Sequence, residues 1–354
     1  MSMKTQATTS LLIGFLLLAS PTFGQEVDKP TGTYASKITP RAVQNQHMQG
    51  GLVRVTWAEI EPQPSKFDFA PIMRQVELLK PNMNWTLAVH GGWTSTESSA
   101  NDSPAWRRRQ SLSPEWLVLK LRVETFAMSF RGNPVQMPKY WDPLVQKRLK
   151  AMLTAVGNRF GKDDRLKLIY VPQMTSNGTE GHFNGVPHET LLQAAGINPR
   201  ERNAERKFGD LWLQASAQAT QSVLQAFPGK AVAFEVHELF QSTEIPARLI
   251  AEFQKPSYDN RVGIGMWWIS GKTNYQGNLI TLLKKYDGDL YGQVIGRSDQ
   301  EYRFPNGDYT SVFKLAQELG MRYIEPWNYE FESHTCDEDL AAFNTATRAK
   351  YASP

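Results

Sequence analysis

The amino-acid sequence predicts an α/β protein whose parallel strands close into a single (β/α)8 barrel. Strand-like apolar runs alternate with helical periodicity along the chain, and this alternation is typical of a parallel sheet covered by helices. Eight strand candidates are present, which favours a closed barrel over an open doubly wound sheet. No glycine-rich phosphate loop follows any of them, which argues against a nucleotide-binding fold.

The strand candidates are short apolar runs, and the first of them is the weakest. In chain order they cover residues 32–38, 52–57, 85–90, 166–174, 231–237, 262–269, 290–296 and 322–327. Long stretches without clear periodicity, residues 91–112 and 181–205, follow the third and fourth strands. We expect these stretches to be loops at the carboxyl end of the barrel, where such folds keep their sites.

The helix candidates show apolar residues at the spacing of an amphipathic helix. They cover residues 72–79, 144–160, 211–226, 279–285, 309–319 and 337–350. Asp142-Pro143 begins the second of these helices, and Asn306-Gly307-Asp308 precedes the fifth, as capping residues do. Phe67-Asp68-Phe69 is expected to open the first helix.

Length and charge restrict the class of protein. The chain has 354 residues, enough for one barrel of about 250 residues with added loops. A net charge of +4 from 39 basic and 35 acidic residues is too balanced for a nucleic-acid binder, and Arg107-Arg108-Arg109 is the only basic run. Ten tryptophans are compatible with sugar stacking, although core packing accounts for most tryptophans in a protein of this kind.

The amino-terminal residues have the composition of a secretory signal. Lys4 precedes the apolar run 11–19, and small residues follow, so we expect cleavage after Gly24 and a single barrel domain over residues 25–354. The run is too short to span a bilayer, which needs about 20 apolar residues. A secreted or periplasmic protein without a disulfide is expected, because Cys336 is the only cysteine.

One segment resembles a known family. Residues 54–57 read Arg-Val-Thr-Trp, Glu61-Pro62 follows, and residues 67–69 read Phe-Asp-Phe. This order resembles the R-V-x-W, E-P and G-x-F-D-F passage of barrel glycoside hydrolases related to β-galactosidases and endoglucanases. The resemblance extends over residues 52–331 in the order of elements. It implies a TIM barrel that cleaves glycosidic bonds of an oligo- or polysaccharide with two carboxyl groups and no cofactor.

Strand parity selects the residues that point into the barrel, because successive side chains alternate between its two faces. Val53 and Val55 face the helices on the second strand, and the same alternation applies to the third, fifth and eighth strands. The inward ionisable residues are then Arg54, His90, Glu235, His237 and Glu325, with Glu238 at the rim. Because burying these groups together is costly, they either carry chemistry or form a structural ion-pair layer.

The first catalytic candidate is Glu180. The fourth strand ends in residues 173–183, Gln-Met-Thr-Ser-Asn-Gly-Thr-Glu-Gly-His-Phe, and Gly178 and Gly181 allow the backbone to bend around the glutamate. In the resembled superfamily the general acid/base glutamate lies just past the fourth strand, which implies this role for Glu180. The structural alternative is that Thr179 and Glu180 cap the next segment.

The second carboxyl group is less clear. The superfamily places its nucleophile at the end of the seventh strand, but residues 290–297 contain no acid. Parity ranks Glu325 first, then Glu238, then Glu301 in the following loop, where Asp299 also lies. An inverting layout, a strand count that is off by one, and a barrel that binds without cleaving all remain open.

The predicted substrate-binding residues come from the strand ends and the tryptophans near them. They are Arg54, Trp57, His90, Gln173, Asn177, His237, Trp267 and Trp327. No metal is expected, since the histidines show neither His-x-His nor His-x-x-x-His spacing. The alternatives to a hydrolase are a non-catalytic carbohydrate-binding barrel and a polysaccharide lyase, in which Arg54 neutralises a uronate. The sequence leaves the oligomeric state open.

Overall fold

The computed structural model describes residues 27–95 and 111–351 of the chain. The predicted signal peptide and the run Arg107-Arg108-Arg109 lie outside these residues. The strands, in chain order, are β1 (Gly32–Ala35), β2 (Gly50–Thr56), β3 (Asn84–His90), β4 (Thr125–Phe130), β5 (Asn133–Pro138), β6 (Leu166–Tyr170), β7 (Ala231–Glu235), β8 (Val262–Ile269), β9 (Leu290–Val294) and β10 (Tyr323–Glu325).

Eight of these strands form a closed parallel barrel. Its order is β1, β2, β3, β6, β7, β8, β9 and β10, and β10 pairs with β1. The remaining two, β4 and β5, form a separate antiparallel hairpin between the third and fourth barrel strands. The predicted (β/α)8 barrel is therefore confirmed.

The helices follow the strands around the outside of the barrel. They are α1 (Trp57–Ile60), α2 (Ala70–Val76), α3 (Trp116–Leu119), α4 (Pro143–Phe160), α5 (His188–Ala194), α6 (Ala204–Ala226), α7 (Glu244–Phe253), α8 (Gly277–Leu283), α9 (Thr310–Glu318), α10 (Asn328–Ser333) and α11 (Asp337–Tyr351). Short 3₁₀ helices are present at Ala42–Gln44, Pro256–Tyr258, Glu301–Arg303 and Pro305–Gly307.

The six predicted helices all exist, but the one-turn helices α1 and α3, the short helix α10 and three larger features were not predicted from the sequence. The hairpin of β4 and β5 lies in a stretch with no predicted element, and α5 lies inside a stretch expected to be loop. The third is α7, although it buries Ile245, Leu249, Ile250 and Phe253 at helical spacing. All three lie in segments shorter than the long periodic helices, where periodicity alone is a weak signal.

Alternating side chains separate two hydrophobic cores. Val53, Val55, Val232 and Phe234 pack in the outer layer between strands and helices. The inner layer fills the barrel and is rich in tyrosine: Tyr34, Leu52, Ala88, Leu168, Tyr170, Ala231, Ala233, Trp267, Tyr291 and Tyr323. The predicted parity of the strands is thus confirmed, and the barrel is a packed interior in which the tyrosine hydroxyls need polar partners.

Helices α4 and α6 touch at a glycine, which gives a prediction about stability. A Cβ on Gly157 would clash with the carbonyl oxygen of Ala226. We expect Gly157→Ala to lower the free energy of unfolding by about 2 kcal/mol, because an overpacked contact forces the helices apart. Gly277→Ala is the control, since a Cβ on this helical glycine meets no atom within 4 Å. Urea denaturation compares them, and equal stability of the two variants would contradict the prediction.

No helix in residues 27–95 and 111–351 is long and apolar enough to cross a membrane.

Candidate functional site

The site lies at the carboxyl end of the barrel, where the loops after β3 and β6 are joined. The amide of Gly91 donates to the carbonyl of Gly178 at 3.1 Å, and the amide of Gln173 donates to the same carbonyl at 3.0 Å. Gly178 has φ +80°, which is unfavourable for any residue with a Cβ. This turn leads the chain to Glu180 at the barrel mouth.

Glu180 is held at the mouth by three polar side chains. The Asn177 amide donates to Oε1 at 2.7 Å, and Nε2 of His182 and Nε2 of His237 lie 3.5 and 3.9 Å from Oε2. One fifth of the Glu180 side chain is exposed. Burial raises the pKa of Glu180, but the hydrogen bond with His182 and the charge of His237 outweigh burial and lower the pKa to about 2.

Behind His237 lies a buried carboxylate. Glu235 has no exposed surface, and its oxygens accept from the amides of Gly181 at 2.6 Å and Trp267 at 3.1 Å. Nδ1 of His237 lies 2.9 Å from Oε1 and 3.0 Å from Oε2 of Glu235. Burial lowers the pKa of His237, yet the charge and hydrogen bond of Glu235 raise it above its usual value. His237 therefore links two carboxylates, one buried and one exposed.

A second buried carboxylate, Glu325, lies deeper in the barrel. It has no exposed surface, and it accepts hydrogen bonds from the hydroxyls of Tyr170 and Tyr323 and from the amide of Gln293. Burial raises the pKa of Glu325, while the charge of Arg54 opposes this rise. The hydrogen bonds to Glu325 therefore come from neutral groups, and Arg54 acts on it through charge without an ion pair within 4 Å among the described residues.

Arg54 lies on β2, and its guanidinium lies 4.9 Å from the ring centroid of Trp267. Burial lowers the pKa of Arg54, and the charges of Glu325 and Glu180 oppose this. Two of its nitrogens, Nε and Nη2, are buried without a hydrogen-bond partner among the described residues. Leaving charged donors unpaired is costly, so these nitrogens are available to a ligand.

His90 is a neutral side chain of known tautomer. Burial lowers its pKa to about 4, and the charge of Arg54 adds to this effect. Its Nδ1 donates to the carbonyl of Asn177 at 2.7 Å, because a carbonyl oxygen only accepts. Its Nε2 therefore keeps a lone pair, and its ring packs at 5.7 Å from Trp267.

The rim carries a further carboxyl group and an aromatic ring. Glu238 is half-buried, its charge raises the pKa of His237, and its Oε1 has no hydrogen-bond partner among the described residues. The Glu238 amide donates to Oε1 of Gln276 at 2.9 Å. Tyr275 is 43% exposed and packs against Trp268. Together these residues form a polar edge with one flat face.

Two predicted binding residues have no exposed surface. Trp57 was assigned to a strand, but it begins α1 after the Thr56 cap and is fully buried, with its indole N–H on Glu61. Gln173 is also fully buried and donates to the carbonyls of Thr179 and Glu235 at 2.7 and 2.9 Å. Neither side chain is exposed to a substrate in this structure, because local packing uses both.

Some of the other predicted residues lie around Glu180 at the barrel mouth, and the rest lie away from it. Trp327 is half-buried and donates to the carbonyl of Val294 at 2.8 Å, and Glu301 is exposed in a 3₁₀ helix after β9. Trp267 points inward as expected but is only 4% exposed. The residues that the structure brings together around Glu180 are Arg54, His90, Asn177, His182, Glu235, His237 and Glu238.

Sequence reasoning missed Tyr275, Gln276 and Gln293. Tyr275 and Gln276 lie in the loop after β8, and loops after barrel strands are where sites form, so their position was the available signal. Gln293 lies on β9 at inward parity, two residues after the inward Tyr291. The expected acid is absent from this strand, and an amide bonded to Glu325 occupies its carboxyl end instead.

Several solved structures share this fold with little sequence identity. The catalytic domain of β-amylase from Paenibacillus polymyxa has a TM-score of 0.63 at 10% identity, over 93% of this chain and 100% of that chain. A β-galactosidase from the psychrophilic Marinomonas ef1 has a TM-score of 0.54 at 10% identity, and the match covers 90% of this chain and 59% of that chain. Endo-glycoceramidase II from Rhodococcus sp. has a TM-score of 0.51 at 12% identity, and the match covers 86% of this chain and 74% of that chain.

The predicted resemblance to TIM-barrel glycoside hydrolases is thus confirmed for the fold, and at this identity the similarity shows the fold alone. No protein-family model matches the sequence, and no curated protein matches it.

Proposed function

We propose that the protein is a glycoside hydrolase that cleaves a bond in an oligo- or polysaccharide, with Glu180 as one of two reacting carboxyl groups. The observation that carries this proposal is the position of Glu180 after the fourth barrel strand. There it is partly exposed and held by Asn177, His182 and His237. A carboxyl group fixed in this way at a barrel mouth is suited to react with a bound sugar.

The second carboxyl group in this proposal is Glu238. Glu325 ranked first by parity, but it has no exposed surface and its oxygens accept three hydrogen bonds, so it is better suited to hold Arg54. Glu238 is half-buried and, like Glu180, acts on His237. Glu301 is exposed, but no contact in the structure connects it with Glu180.

Hydrolysis needs one carboxyl group to protonate the departing oxygen and another to attack the sugar or activate water. Glu180 and Glu238 are the two candidates for these roles. In the free protein the pKa of Glu180 is lowered to about 2, so its carboxylate is ionised and suits the attacking or base role; acting as the general acid requires bound substrate to raise this pKa. Arg54, with two unpaired nitrogens, would donate hydrogen bonds to sugar hydroxyls, and Nε2 of His90 would accept one. Tyr275 offers a flat face for stacking.

The proposed cellular setting is secretion or the periplasm. The support for it is the apolar run 11–19 between Lys4 and the small residues before Gly24. Mass spectrometry of the exported protein tests it, and a mature chain that retains Met1 would contradict cleavage.

The test of the proposed function is Glu180→Gln. We expect the variant to fold normally and to lose at least about a hundredfold in kcat/KM on the best substrate from a panel of polysaccharides and aryl glycosides. Reducing-end release measures the activity. Glu189→Gln is the matched control, because Glu189 is an exposed glutamate at the start of α5.

Aryl glycosides with different leaving groups then identify the role. If Glu180 is the acid, Glu180→Gln retains most activity on a phenol that leaves without protonation, whereas loss of an attacking carboxylate affects all substrates. Full activity of Glu180→Gln on every substrate would overturn the proposal.

A carbohydrate-binding barrel without activity is the second candidate. The observation that favours it is Gln293, which stands on the seventh barrel strand where the resembled enzymes carry an acid. Saturable binding of an oligosaccharide by wild-type protein, with neither reducing ends nor a new C=C absorbance, would support it. Absorbance from a C=C bond would instead identify a lyase.

A further inference from the structure

We propose that Glu180, His182 and His237 form a binding site for a divalent transition-metal ion, and that Zn²⁺ suits it best. One carboxylate and two imidazoles are ligands that Zn²⁺ prefers. Two of them lie on the loop after β6, and His237 follows β7, so the barrel brings together groups that are far apart in sequence. This convergence explains why no histidine spacing in the sequence signals a metal.

The distances are close to those of a bound ion. One ligand atom from each residue lies within 4.8 Å of the other two. The separations from Oε2 of Glu180 are 3.5 Å to Nε2 of His182 and 3.9 Å to Nε2 of His237. In a tetrahedral zinc site with bonds of about 2.0–2.1 Å, neighbouring ligand atoms lie about 3.4 Å apart. The remaining pair of ligand atoms, on His182 and His237, lies within 4.8 Å. Movements of up to about half an ångström in each side chain are enough to close the site.

Glu235 gives the site an outer shell. Histidine ligands almost always donate their other N–H to a carboxylate or carbonyl group, which fixes the tautomer and the ring. Nδ1 of His237 bonds to Glu235 at 2.9–3.0 Å, so Nε2 is the nitrogen directed at Glu180. Glu235 is itself fixed by the amides of Gly181 and Trp267. An isolated surface histidine has no such support.

The three ligands also leave room for further coordination. Their exposed fractions are 20% for Glu180, 10% for His182 and 7% for His237, so the ligands are partly accessible while Glu235, which supports His237, is fully buried. Three protein ligands with an open side are typical of zinc sites that also bind water or substrate.

Two contacts oppose metal binding and give its cost. The backbone amide of Asn184 donates to Nδ1 of His182 at 3.3 Å. Ligation through Nε2 moves the imidazole proton to Nδ1, which removes the acceptor of this hydrogen bond. The Asn177 amide, which lies 3.2 Å from Nε2 of His182, must turn away from the ring. The Asn184 contact is a single neutral hydrogen bond worth about 1 kcal/mol, and the Asn177 contact is not a hydrogen bond in this tautomer, because Nε2 carries the proton. Structural zinc sites contribute about 10 kcal/mol or more.

One consequence rests on the proposed function. A metal ion on Glu180 removes its carboxylate from the hydrolytic reaction, so Zn²⁺ is expected to inhibit hydrolysis at the concentration that fills the site. Metal binding itself does not require the protein to be a hydrolase.

The experiment is calorimetric titration of the full chain with ZnCl₂ after treatment with a chelator and dialysis. We expect one Zn²⁺ per chain and at least about tenfold weaker binding by His182→Gln. His188→Gln is the matched control, because His188 is exposed on α5 and outside the site. Co²⁺ titration provides a second readout, since visible absorption bands report nitrogen and oxygen ligation without requiring activity.

Absence of saturable Zn²⁺ binding, or binding that His182→Gln and His237→Gln leave unchanged, would overturn the proposal. The proposed hydrolase fails separately, when no substrate is cleaved by the metal-free protein. Zinc binding without hydrolysis therefore supports the metal site and counts against the hydrolase, and hydrolysis without zinc binding does the reverse.

Discussion

Replacing Gly178 by alanine is expected to lower the free energy of unfolding by about 3 kcal/mol and to abolish any activity that depends on Glu180. Gly178 has φ +80°, which costs alanine about 1 kcal/mol. The added Cβ would clash with the carbonyl oxygen of Gly91 and lie 2.9 Å from Cβ of His90. Overpacking of this kind costs about 1–3 kcal/mol more. The loops after β3 and β6 must separate, which displaces Glu180.

The control for this prediction is Gly196→Ala. Gly196 has φ +72°, but a Cβ there meets no atom within 4 Å, so the variant has the backbone strain without the clash. Urea denaturation gives the stability of both variants, and zinc titration or sugar release reports on Glu180. If Gly178→Ala is no less stable than Gly196→Ala, the close contact between the two loops does not exist in solution.

Replacing Arg54 by methionine is expected to destabilise the protein by about 3 kcal/mol at pH 7, because it leaves the fully buried Glu325 without its nearby cation. Methionine preserves much of the side-chain volume, so the effect comes from the charge. Adding Glu325→Gln to this variant removes the buried charge, and we expect the double variant to regain most of the stability. A double-mutant cycle of Arg54→Met and Glu325→Gln gives the coupling energy between the two side chains.

The pH dependence of Arg54→Met follows from the same carboxyl group. Burial already raises the pKa of Glu325 above its usual 4.5, and loss of Arg54 raises it further. A carboxyl group with a raised pKa in the folded state binds protons better when folded. The destabilisation by Glu325 is therefore absent below pH 4.5, grows as the pH rises from 4.5 to the raised pKa, and is constant above it. Because the variant has the higher pKa, its extra loss relative to wild type develops above the wild-type pKa of Glu325. Urea denaturation at pH 5 and pH 7 checks this, and a larger loss at pH 5 would contradict it.

The alternation of strand residues made the barrel and its interior predictable. Val53 and Val55 point outward and Arg54 points inward because Cβ atoms alternate along a strand, whatever the neighbouring strands are. The same rule correctly predicted that Glu235 and Glu325 point inward. Glu180 was predicted to lie at the barrel mouth from its place after the fourth strand, and its side chain is partly exposed there, while its catalytic role stays a prediction.

Predictions failed where a contact with another part of the chain decides the outcome. The segment that ends at Trp57 has the residue pattern of a strand, but Thr56 caps a helix that begins at Trp57, and the indole is buried in the core. Gln173 has an amide group of the kind that binds sugar hydroxyls, yet its nitrogen already donates to two carbonyls from different segments. No local pattern in the sequence reports either partner.

The sequence by itself determined the architecture and the direction of each strand residue, because both depend on local periodicity and on the turn residues between elements. Only the tertiary structure decided which inward carboxylate remains accessible. Glu325 is covered by Tyr170, Tyr323 and Gln293 from three barrel strands, whereas Glu180 keeps an exposed edge between two histidines. The physical reason is that the accessibility and charge of a side chain depend on neighbours that closure of the barrel brings together, and strand parity carries no information about them.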